Sequence, residues 1–305
     1  MKIVITGANS AVGQAILRWG PKLEGATNTF VAAVRSARAA EQIRSQTGHE
    51  NGVVRISYDD SASLDTAFQG ASAVIHLAGI LVESPDSTYE KANVASTRAI
   101  VDAAKRSAVQ KIVLVSATGA DESSRNRYYR TKGEAEALVR GSGLNYTVLR
   151  APLLLGPGTA GGAALGRHVS HSRAKLIGGG RNLQQPLSVN DLARAAVAAT
   201  NPSVANNLVL DFVGPVSLPE RELVERAARL LGREVRIGSI PKSWFSLVLA
   251  IRQRIGKPGF SRDALDVITA DTGLDPQPAA AALGIQLTAI DEMIQESLGQ
   301  GQQNE

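Results

Sequence analysis

The stretch of sequence that is most informative about the fold is Lys2-Ile-Val-Ile-Thr-Gly-Ala-Asn-Ser-Ala-Val-Gly13. An apolar strand runs into a turn with glycines at positions 7 and 13, and a helix-forming segment, Gln14–Trp19, follows. A strand, a glycine turn and a helix in this order place the amino end of the helix against a pyrophosphate. The stretch therefore predicts a dinucleotide-binding turn, and we assign to the cofactor the residues Gly7, Asn9, Ser10, Ala11, Val12 and Gly13.

One position departs from the usual spacing of such a turn. A turn of the T-G-x-x-G-x-x-G type would have glycine at position 10, where this chain has Ser10. Serine is small enough for the helix to approach a phosphate, but a positive φ there would cost it more than glycine.

The bulk composition is that of an ordinary globular protein. The 305 residues are 44% hydrophobic and 20% charged, which allows one large domain or one domain with a cap. The absence of cysteine excludes disulfides and thiolate metal sites and fits a reducing cytosol. The net charge is +5, but the basic residues are scattered and no nucleic-acid motif appears, so we expect no nucleic-acid partner.

The first half of the chain alternates strand and helix patterns, which predicts a doubly wound parallel sheet of the Rossmann type. The apolar runs that predict buried strands are Ile3–Ile5, Phe30–Val34, Val53–Ile56, Ala73–Leu77, Lys111–Val115 and Asn145–Arg150. The helical stretches between them are Val12–Trp19, Ala37–Gln46, Ser63–Phe68, Tyr89–Ser107 and Tyr128–Gly141.

The second half is less periodic. Gly156–Gly180 is glycine-rich and predicts a loop beside a cleft, whereas Ala279–Leu298 predicts one long helix. We expect a nucleotide-binding domain over residues 1–155, to which 186–214 return with a strand at Leu208–Phe212. A small, irregular carboxyl-terminal cap would comprise 156–185 and 215–298, and 299–305 would be a disordered tail.

The choice of cofactor is decided at the end of the second strand. Val34 is followed by Arg35, and no acid is present to accept a bond from the adenosine ribose. A guanidinium matches a phosphate in geometry, so we favour NADP(H), with NAD(H) as the alternative. Asp59 and Asp60, after the third strand, could accept from the adenine amino group or could cap a helix. The fourth strand ends in small residues, as a close approach to a ribose requires, and we assign to the cofactor Leu77, Ala78 and Gly79.

A tyrosine and a lysine follow the fifth strand. Tyr128 and Lys132 are four residues apart and share one helical face. A phenol beside an ammonium can have a lowered pKa and can exchange protons. This spacing is common by chance, but here it follows a fifth strand in a chain that opens with the glycine turn.

These motifs together resemble the short-chain dehydrogenase/reductase superfamily, in its extended and atypical branch, which is epimerase/dehydratase-like. Within that branch the chain is similar to bacterial relatives of the dehydrogenase-like accessory subunit of respiratory complex I and to NmrA-like proteins. The resemblance covers residues 1 to about 215 and rests on Thr6-Gly7…Gly13, Arg35, Asp59-Asp60, His76–Gly79, Asn93, Ser116, Tyr128…Lys132, Arg150…Gly156-Pro157 and Pro186–Asp191.

The resemblance implies a catalytic set. Tyr128 would be the acid/base, Lys132 would hold the nicotinamide ribose, and Asn93 would stand behind them in a proton relay. A hydroxyl just after the fifth strand would bind the substrate carbonyl, but our register places Ala117 there, with Ser116 and Thr118 on either side. Without that donor the rate would fall on the order of 100-fold or more.

Two other patterns bear on ligands and partners. His168 and His171 have a spacing that could bind metal, but no third ligand is evident, so we expect no metal site. Residues 242–257 form a basic amphipathic segment that predicts packing on the cap or peripheral contact with a membrane surface. We expect a cytoplasmic protein in which no segment spans the membrane and no signal peptide precedes the first strand.

The sequence thus supports two functions of different classes. The first is an NADP(H)-dependent oxidoreductase or epimerase acting on a small molecule of unknown identity. The second is a nucleotide-bound sensor or assembly protein at a respiratory or quinone-linked membrane complex, with little turnover. The oligomeric state is not indicated.

Overall fold

The structure is a computed structural model that describes residues 1–23, 28–48, 52–245, 249 and 260–299. In chain order its strands are β1 (Lys2–Thr6), β2 (Thr29–Val34), β3 (Val53–Arg55), β4 (Ala73–His76), β5 (Lys111–Ala117), β6 (Asn145–Ala151), β7 (Leu154–Leu155), β8 (Arg173–Ile177), β9 (Leu183–Gln184), β10 (Leu187–Ser188), β11 (Leu208–Asp211), β12 (Leu218–Pro219) and β13 (Arg236–Ile240). Its helices are α1 (Ala11–Leu23), α2 (Ala37–Thr47), α3 (Ser61–Phe68), α4 (Ser96–Arg106), α5 (Arg127–Arg140), α6 (Ala160–Val169), α7 (Val189–Ala198), α8 (Glu220–Leu230), α9 (Arg262–Ile268), α10 (Gln277–Leu283) and α11 (Ile290–Gly299). A π-helical turn, Glu90–Ala95, leads into α4.

Seven strands form one parallel sheet in the order β11-β6-β5-β4-β1-β2-β3. This order reverses between β1 and β4, which is the switch point of a doubly wound sheet, where ligands bind beyond the carboxyl ends of the strands. The predicted Rossmann-type α/β fold is confirmed, and the segment around Leu208–Phe212 returns to the edge of the sheet, as expected.

Alternation along β1 builds a core on each face of the sheet. Ile3 and Ile5 point to the face covered by α1, α2, α7 and α10, while Val4 points to the face covered by α3, α4 and α5. All three are fully buried. The sheet is thus held from both sides, and its carboxyl edge is left for the loops.

A third apolar cluster lies in the second half of the chain. It joins α6, β8, α8 and α11, with Leu165, Leu176, Val224 and Met293 fully or almost fully buried. β8 pairs in parallel with β13. The domain boundaries that we drew from the sequence remain a prediction, and α10 contributes Ala279 to the core of the main sheet rather than to this cluster.

The loop predicted over Gly156–Gly180 is wrong, because this segment contains α6 and β8. Thr159 caps α6 by accepting from the Gly162 amide at 3.0 Å. A Cβ at Gly161 would lie 2.3 Å from the Leu154 carbonyl oxygen. Gly161 thus permits close packing of a helix against the Leu154 backbone and does not mark a loop.

The single helix predicted over Ala279–Leu298 is also wrong. Gly284, with φ of 64°, ends α10, and α11 begins only at Ile290. Between them Thr288 donates its amide to Asp191 Oδ2 at 2.7 Å, and Asp191 is fully buried. This buried carboxylate holds the intervening chain in a non-helical path. Of the predicted tail, residue 299 belongs to α11 and the rest lies outside the described residues.

Candidate functional site

A cavity of about 970 Å³ opens at the carboxyl edge, next to the switch point. Of the residues assigned to the cofactor from the sequence, those that line it are Gly7, Asn9, Ser10, Arg35, Asp59, Leu77, Ala78 and Gly79. The others do not line it, namely Ala11, Val12, Gly13, Asp60 and Lys132.

The glycine turn, Gly7–Gly13, is determined by close backbone approaches. Gly7 has φ of 73°, and a Cβ there would lie 3.1 Å from the Ala78 amide nitrogen. A Cβ at Gly13 would lie 2.4 Å from the Ala8 carbonyl oxygen. Both positions exclude a side chain, so the turn packs directly against the end of β4 and the start of α1 packs against the turn.

Ser10 does not adopt the positive φ that would have strained it, because within the described residues only Ala108 and Asn207 do so among non-glycines. Its amide donates to the Gly7 carbonyl at 3.0 Å, and its Oγ accepts from the Gly13 amide at 3.2 Å. Ser10 therefore caps α1. The amides of Ala11 and Val12 precede the first intrahelical bonds, so they are available to an anion at the helix amino end.

Asp59 and Asp60, for which two interpretations were open, have different roles. Asp60 caps α3 and accepts from the Ala62 amide at 3.1 Å. Asp59 lines the cavity, where it could accept from an adenine amino group.

Sequence reasoning missed one wall of the cavity. The residues are Lys91, Ala95, Arg98, Asp102 and Arg106, which lie along the π-helical turn and α4. Their spacing of three and four residues marks one helical face, which is the signal that could have found them. Tyr58 was missed as well, and it lines the cavity below Arg35.

A second cluster, the tyrosine corner, comprises Asn93, Tyr128 and Lys132. Asn93 lies in the π-helical turn, a form of helix that often marks functional sites. Its Oδ1 accepts from the Ile80 amide at 3.3 Å, and its Nδ2 donates to Thr131 Oγ1 at 3.0 Å. The buried asparagine is therefore held in a fixed orientation.

Lys132 is buried and donates from Nζ to the Val115 carbonyl at 2.9 Å. Burial lowers its pKa to about 8, against an opposing effect of Glu136. Glu136 is itself buried and pairs with Arg150, with Arg150 Nη2 at 2.7 Å from the carboxylate. The ammonium of Lys132 is thus a partly destabilised cation at the end of β5.

The environment of Tyr128 differs from the sequence expectation of a lowered pKa. Its ring packs edge-on against Tyr89, at 5.8 Å between centroids, and against Tyr129, at 5.7 Å. Burial, and then the two neighbouring phenols, raise the pKa of Tyr128 above its usual range. The phenol is therefore protonated at neutral pH.

Gly79 joins the cavity to the tyrosine corner. It lines the cavity, and a Cβ on it would lie 3.1 Å from Asn93 Oδ1 and 3.5 Å from Lys132 Nζ. The Asn93 amide oxygen and the Lys132 ammonium thus lie directly behind Gly79, although neither residue lines the cavity itself.

The position at the end of β5 where a hydroxyl donor is expected holds Ala117, and its two neighbours, Ser116 and Thr118, carry hydroxyls. Ala117 is the last residue of β5. Ser116 is buried, and its Oγ has no hydrogen-bond partner within the described part of the chain. Thr118 is half-buried and donates its amide to the Ala151 carbonyl at 3.1 Å. The structure therefore provides hydroxyls on both sides of Ala117 and a methyl group at the predicted position.

The fold and this edge define a dinucleotide-binding α/β protein. The close-packed glycine turn, the two amides at the start of α1 and the side-chain-free strand end at Gly79 fit a pyrophosphate and a ribose. The chain belongs to the NAD(P)H-binding family, whose sequence model matches residues 7–201.

Two individual relatives share low sequence identity with this chain and match only part of it. The ceramide reductase of Caulobacter vibrioides is 26% identical over 179 residues, covering 59% of this chain and 56% of that protein. Subunit 9 of the mitochondrial NADH dehydrogenase alpha subcomplex of Arabidopsis thaliana is 30% identical over 179 residues, covering 57% of this chain and 44% of that protein. The chain thus spans about half the length of both relatives.

A solved structure supports the fold along the whole chain. It is UDP-glucuronic acid 4-epimerase from Bacillus cereus in complex with UDP-glucuronic acid and NAD, with a TM-score of 0.76 at 17% identity and 99% of each chain covered.

Among the described residues, every helix is too short or too polar to cross a membrane. The amphipathic segment 242–257, predicted to pack on the cap or touch a membrane surface, lies mostly outside them.

Proposed function

We propose that this protein is an NADP(H)-dependent oxidoreductase or epimerase that acts on a carbonyl or hydroxyl group of a small molecule. The observation that carries the proposal is the arrangement at Gly79, where the cavity wall meets Asn93 Oδ1 and Lys132 Nζ. The same helix carries Tyr128 one turn before Lys132, so a phenol and an ammonium share one face of α5 beside this wall. The ceramide reductase relative is consistent with a reductase.

NADP(H) is the proposed cofactor because Arg35 stands at the cavity where β2 ends. Ser36 follows Arg35 and also lines the cavity, so the position after the strand holds no acid that would repel a 2′-phosphate. The Ser36 side chain caps α2 and accepts from the Ala39 amide at 3.1 Å. Calorimetric titration with NADPH and NADH tests this choice, and tighter binding of NADH would refute it.

The chain's own residues suggest how protons are handled. The nicotinamide, when bound, supplies hydride exchange. The Tyr128 phenol carries its proton at neutral pH and can donate it to a substrate oxygen, although the pKa raised by burial makes it a weaker acid than a free tyrosine. Lys132, with a pKa of about 8, remains largely an ammonium at pH 7 and can hold a ribose hydroxyl near Asn93.

Tyr128→Phe tests the chemistry, and Tyr129→Phe is its matched control, because both phenols lie in the first turns of α5. NADPH oxidation would be followed with aliphatic ketones, aromatic ketones and quinones. We expect Tyr128→Phe to lower turnover on the order of 100-fold or more, with NADPH affinity retained. Tyr129→Phe should keep both. Equal turnover of the two variants would refute the role of Tyr128.

One observation favours a second candidate function, a nucleotide-bound sensor or assembly protein at a respiratory membrane complex. Ala117 places a methyl group where a substrate-binding hydroxyl is expected, while Ser116 Oγ is buried. The plant NADH dehydrogenase subunit is consistent with this class. Tight NADPH binding with no turnover in any of these assays, and cellular function that survives Tyr128→Phe, would favour it over the enzyme.

A further inference from the structure

The side chain of Tyr58 lies under Arg35 in the cofactor cavity. The Arg35 guanidinium carbon is 5.9 Å from the centre of the Tyr58 ring, within the range of a cation–π contact. Both residues line the cavity, Arg35 from the end of β2 and Tyr58 from the loop after β3. The exposed arginine thus has an aromatic surface beneath it.

The Tyr58 ring is fixed by contacts below the sheet edge. Its phenol lies near the Thr6 side chain, which acts to lower the phenol's pKa. Thr6 Oγ1 lies 2.6 Å from His76 Nδ1, and the imidazole stands edge-on to the phenol ring, with centroids 6.3 Å apart at 85°. Thr6 and His76 are fully buried at the ends of β1 and β4. The ring therefore rests on β1, which leads into the glycine turn, and on β4, against whose end the turn packs.

The two rings beneath Arg35, those of Tyr58 and His76, are both uncharged at neutral pH. Burial raises the pKa of Tyr58 to about 12, although Arg35 opposes the shift, so the phenol is neutral. Burial, and then Lys132, lower the pKa of His76 to about 3, so the imidazole is neutral as well. Among the ion pairs of the described residues Arg35 has none, which leaves its charge for a ligand.

We propose that Tyr58 is a positioning residue for cofactor specificity, which holds the Arg35 guanidinium over its ring, in place to receive the 2′-phosphate of NADP(H). The inference rests on the proposed preference for NADP(H) and names the device that sets it. A long arginine side chain loses rotamer freedom when it binds a phosphate, and a fixed aromatic surface reduces that loss before the ligand arrives.

Binding of half-ligands tests the inference without turnover. Adenosine 2′,5′-bisphosphate carries the 2′-phosphate and 5′-AMP lacks it, and each would be titrated calorimetrically into the full-length protein. We expect Tyr58→Leu to weaken the bisphosphate about 3- to 10-fold and to leave 5′-AMP unchanged. Tyr58→Phe retains the ring and should retain most of the preference. Arg38→Ala, an exposed arginine outside the cavity, should bind both ligands as wild type does.

A double variant isolates the contact. Arg35→Ala should abolish the preference for the bisphosphate, and adding Tyr58→Leu to it should change nothing further. Equal weakening of both ligands by Tyr58→Leu would overturn the inference, because Tyr58 would then serve the adenosine as a whole. An unchanged ratio in Tyr58→Leu alongside a lost preference in Arg35→Ala would overturn it too, while leaving the proposed NADP(H) preference intact. A wild-type protein without preference for the bisphosphate would refute the NADP(H) choice itself.

Discussion

The glycine turn and the tyrosine corner lie at the same edge of one sheet, but they are built by different means. The turn is fixed by backbone contacts, with no room for a Cβ at Gly13. The corner contains two ionisable side chains whose pKa values burial has moved, downward for Lys132 and upward for Tyr128. The turn should therefore respond to changes of shape, and the corner to changes of charge and pH.

The largest expected effect is at the turn. Gly13→Ala places a Cβ 2.4 Å from the Ala8 carbonyl oxygen, so the turn or α1 must move. We expect a loss of at least about 2 kcal/mol in the free energy of unfolding and of most NADPH affinity. Urea unfolding and calorimetric titration measure the two quantities.

Gly166→Ala is the matched control for that change. Gly166 lies within α6, and a Cβ there would meet only Leu298, at 4.0 Å. Alanine should be neutral or should stabilise the helix by about 0.5–1 kcal/mol. If both glycines tolerate alanine equally, the turn is not fixed by close packing.

The second prediction concerns the corner and uses pH. Lys132 has a pKa of about 8 in the folded protein and near 10.5 in the unfolded chain. Between these values the unfolded state binds more protons, so the free energy of unfolding rises with pH, by roughly 1.4 kcal/mol per pH unit. Lys132→Met should lack this rise. The free energy of unfolding of the wild type minus that of Lys132→Met should therefore increase from pH 8 to about pH 10.5.

Unfolding of both proteins at several pH values measures that difference. Subtracting the variant removes the contributions of other groups, among them Lys111, whose pKa burial also lowers. Parallel pH curves for wild type and Lys132→Met would contradict a destabilised ammonium at the corner. Gly13→Ala should give a pH curve parallel to that of the wild type, since the turn carries no titrating side chain.

The sequence predicted the turn better than the rest because its signal is local. Gly7 and Gly13 stand within one strand–helix unit, and the alternating apolar runs place that unit in the sheet. The corner was only partly predictable. The four-residue spacing placed Tyr128 and Lys132 on one face, but the pKa of Tyr128 depends first on burial and then on neighbouring phenols, one of which, Tyr89, comes from a distant segment.

The cap illustrates what local patterns cannot give. Glycine favours loops on average, yet in α6 it allows a helix to approach the Leu154 backbone, and that contact exists only after folding. Likewise, Thr288 interrupts a helix pattern because Asp191, 97 residues away, binds its amide. Tyr58 gave no signal for the same reason, since its contact with Arg35 joins the ends of two strands.

The smallest expected effect returns to the turn and tests its departure from the three-glycine spacing. Ser10→Ala removes the Oγ that accepts from the Gly13 amide, and we expect a loss of about 1 kcal/mol in the free energy of unfolding. Ser10→Gly should cost only a few tenths of a kcal/mol, because glycine is tolerated at a helix cap. Urea unfolding resolves the two variants.

A Ser10→Gly protein more stable than the wild type would mean that the turn requires the backbone freedom of glycine. A Ser10→Ala protein equal to the wild type would mean that the cap contributes nothing. The expected order, wild type above glycine above alanine, would show that serine serves the turn through its side chain, in a region otherwise determined by the absence of side chains.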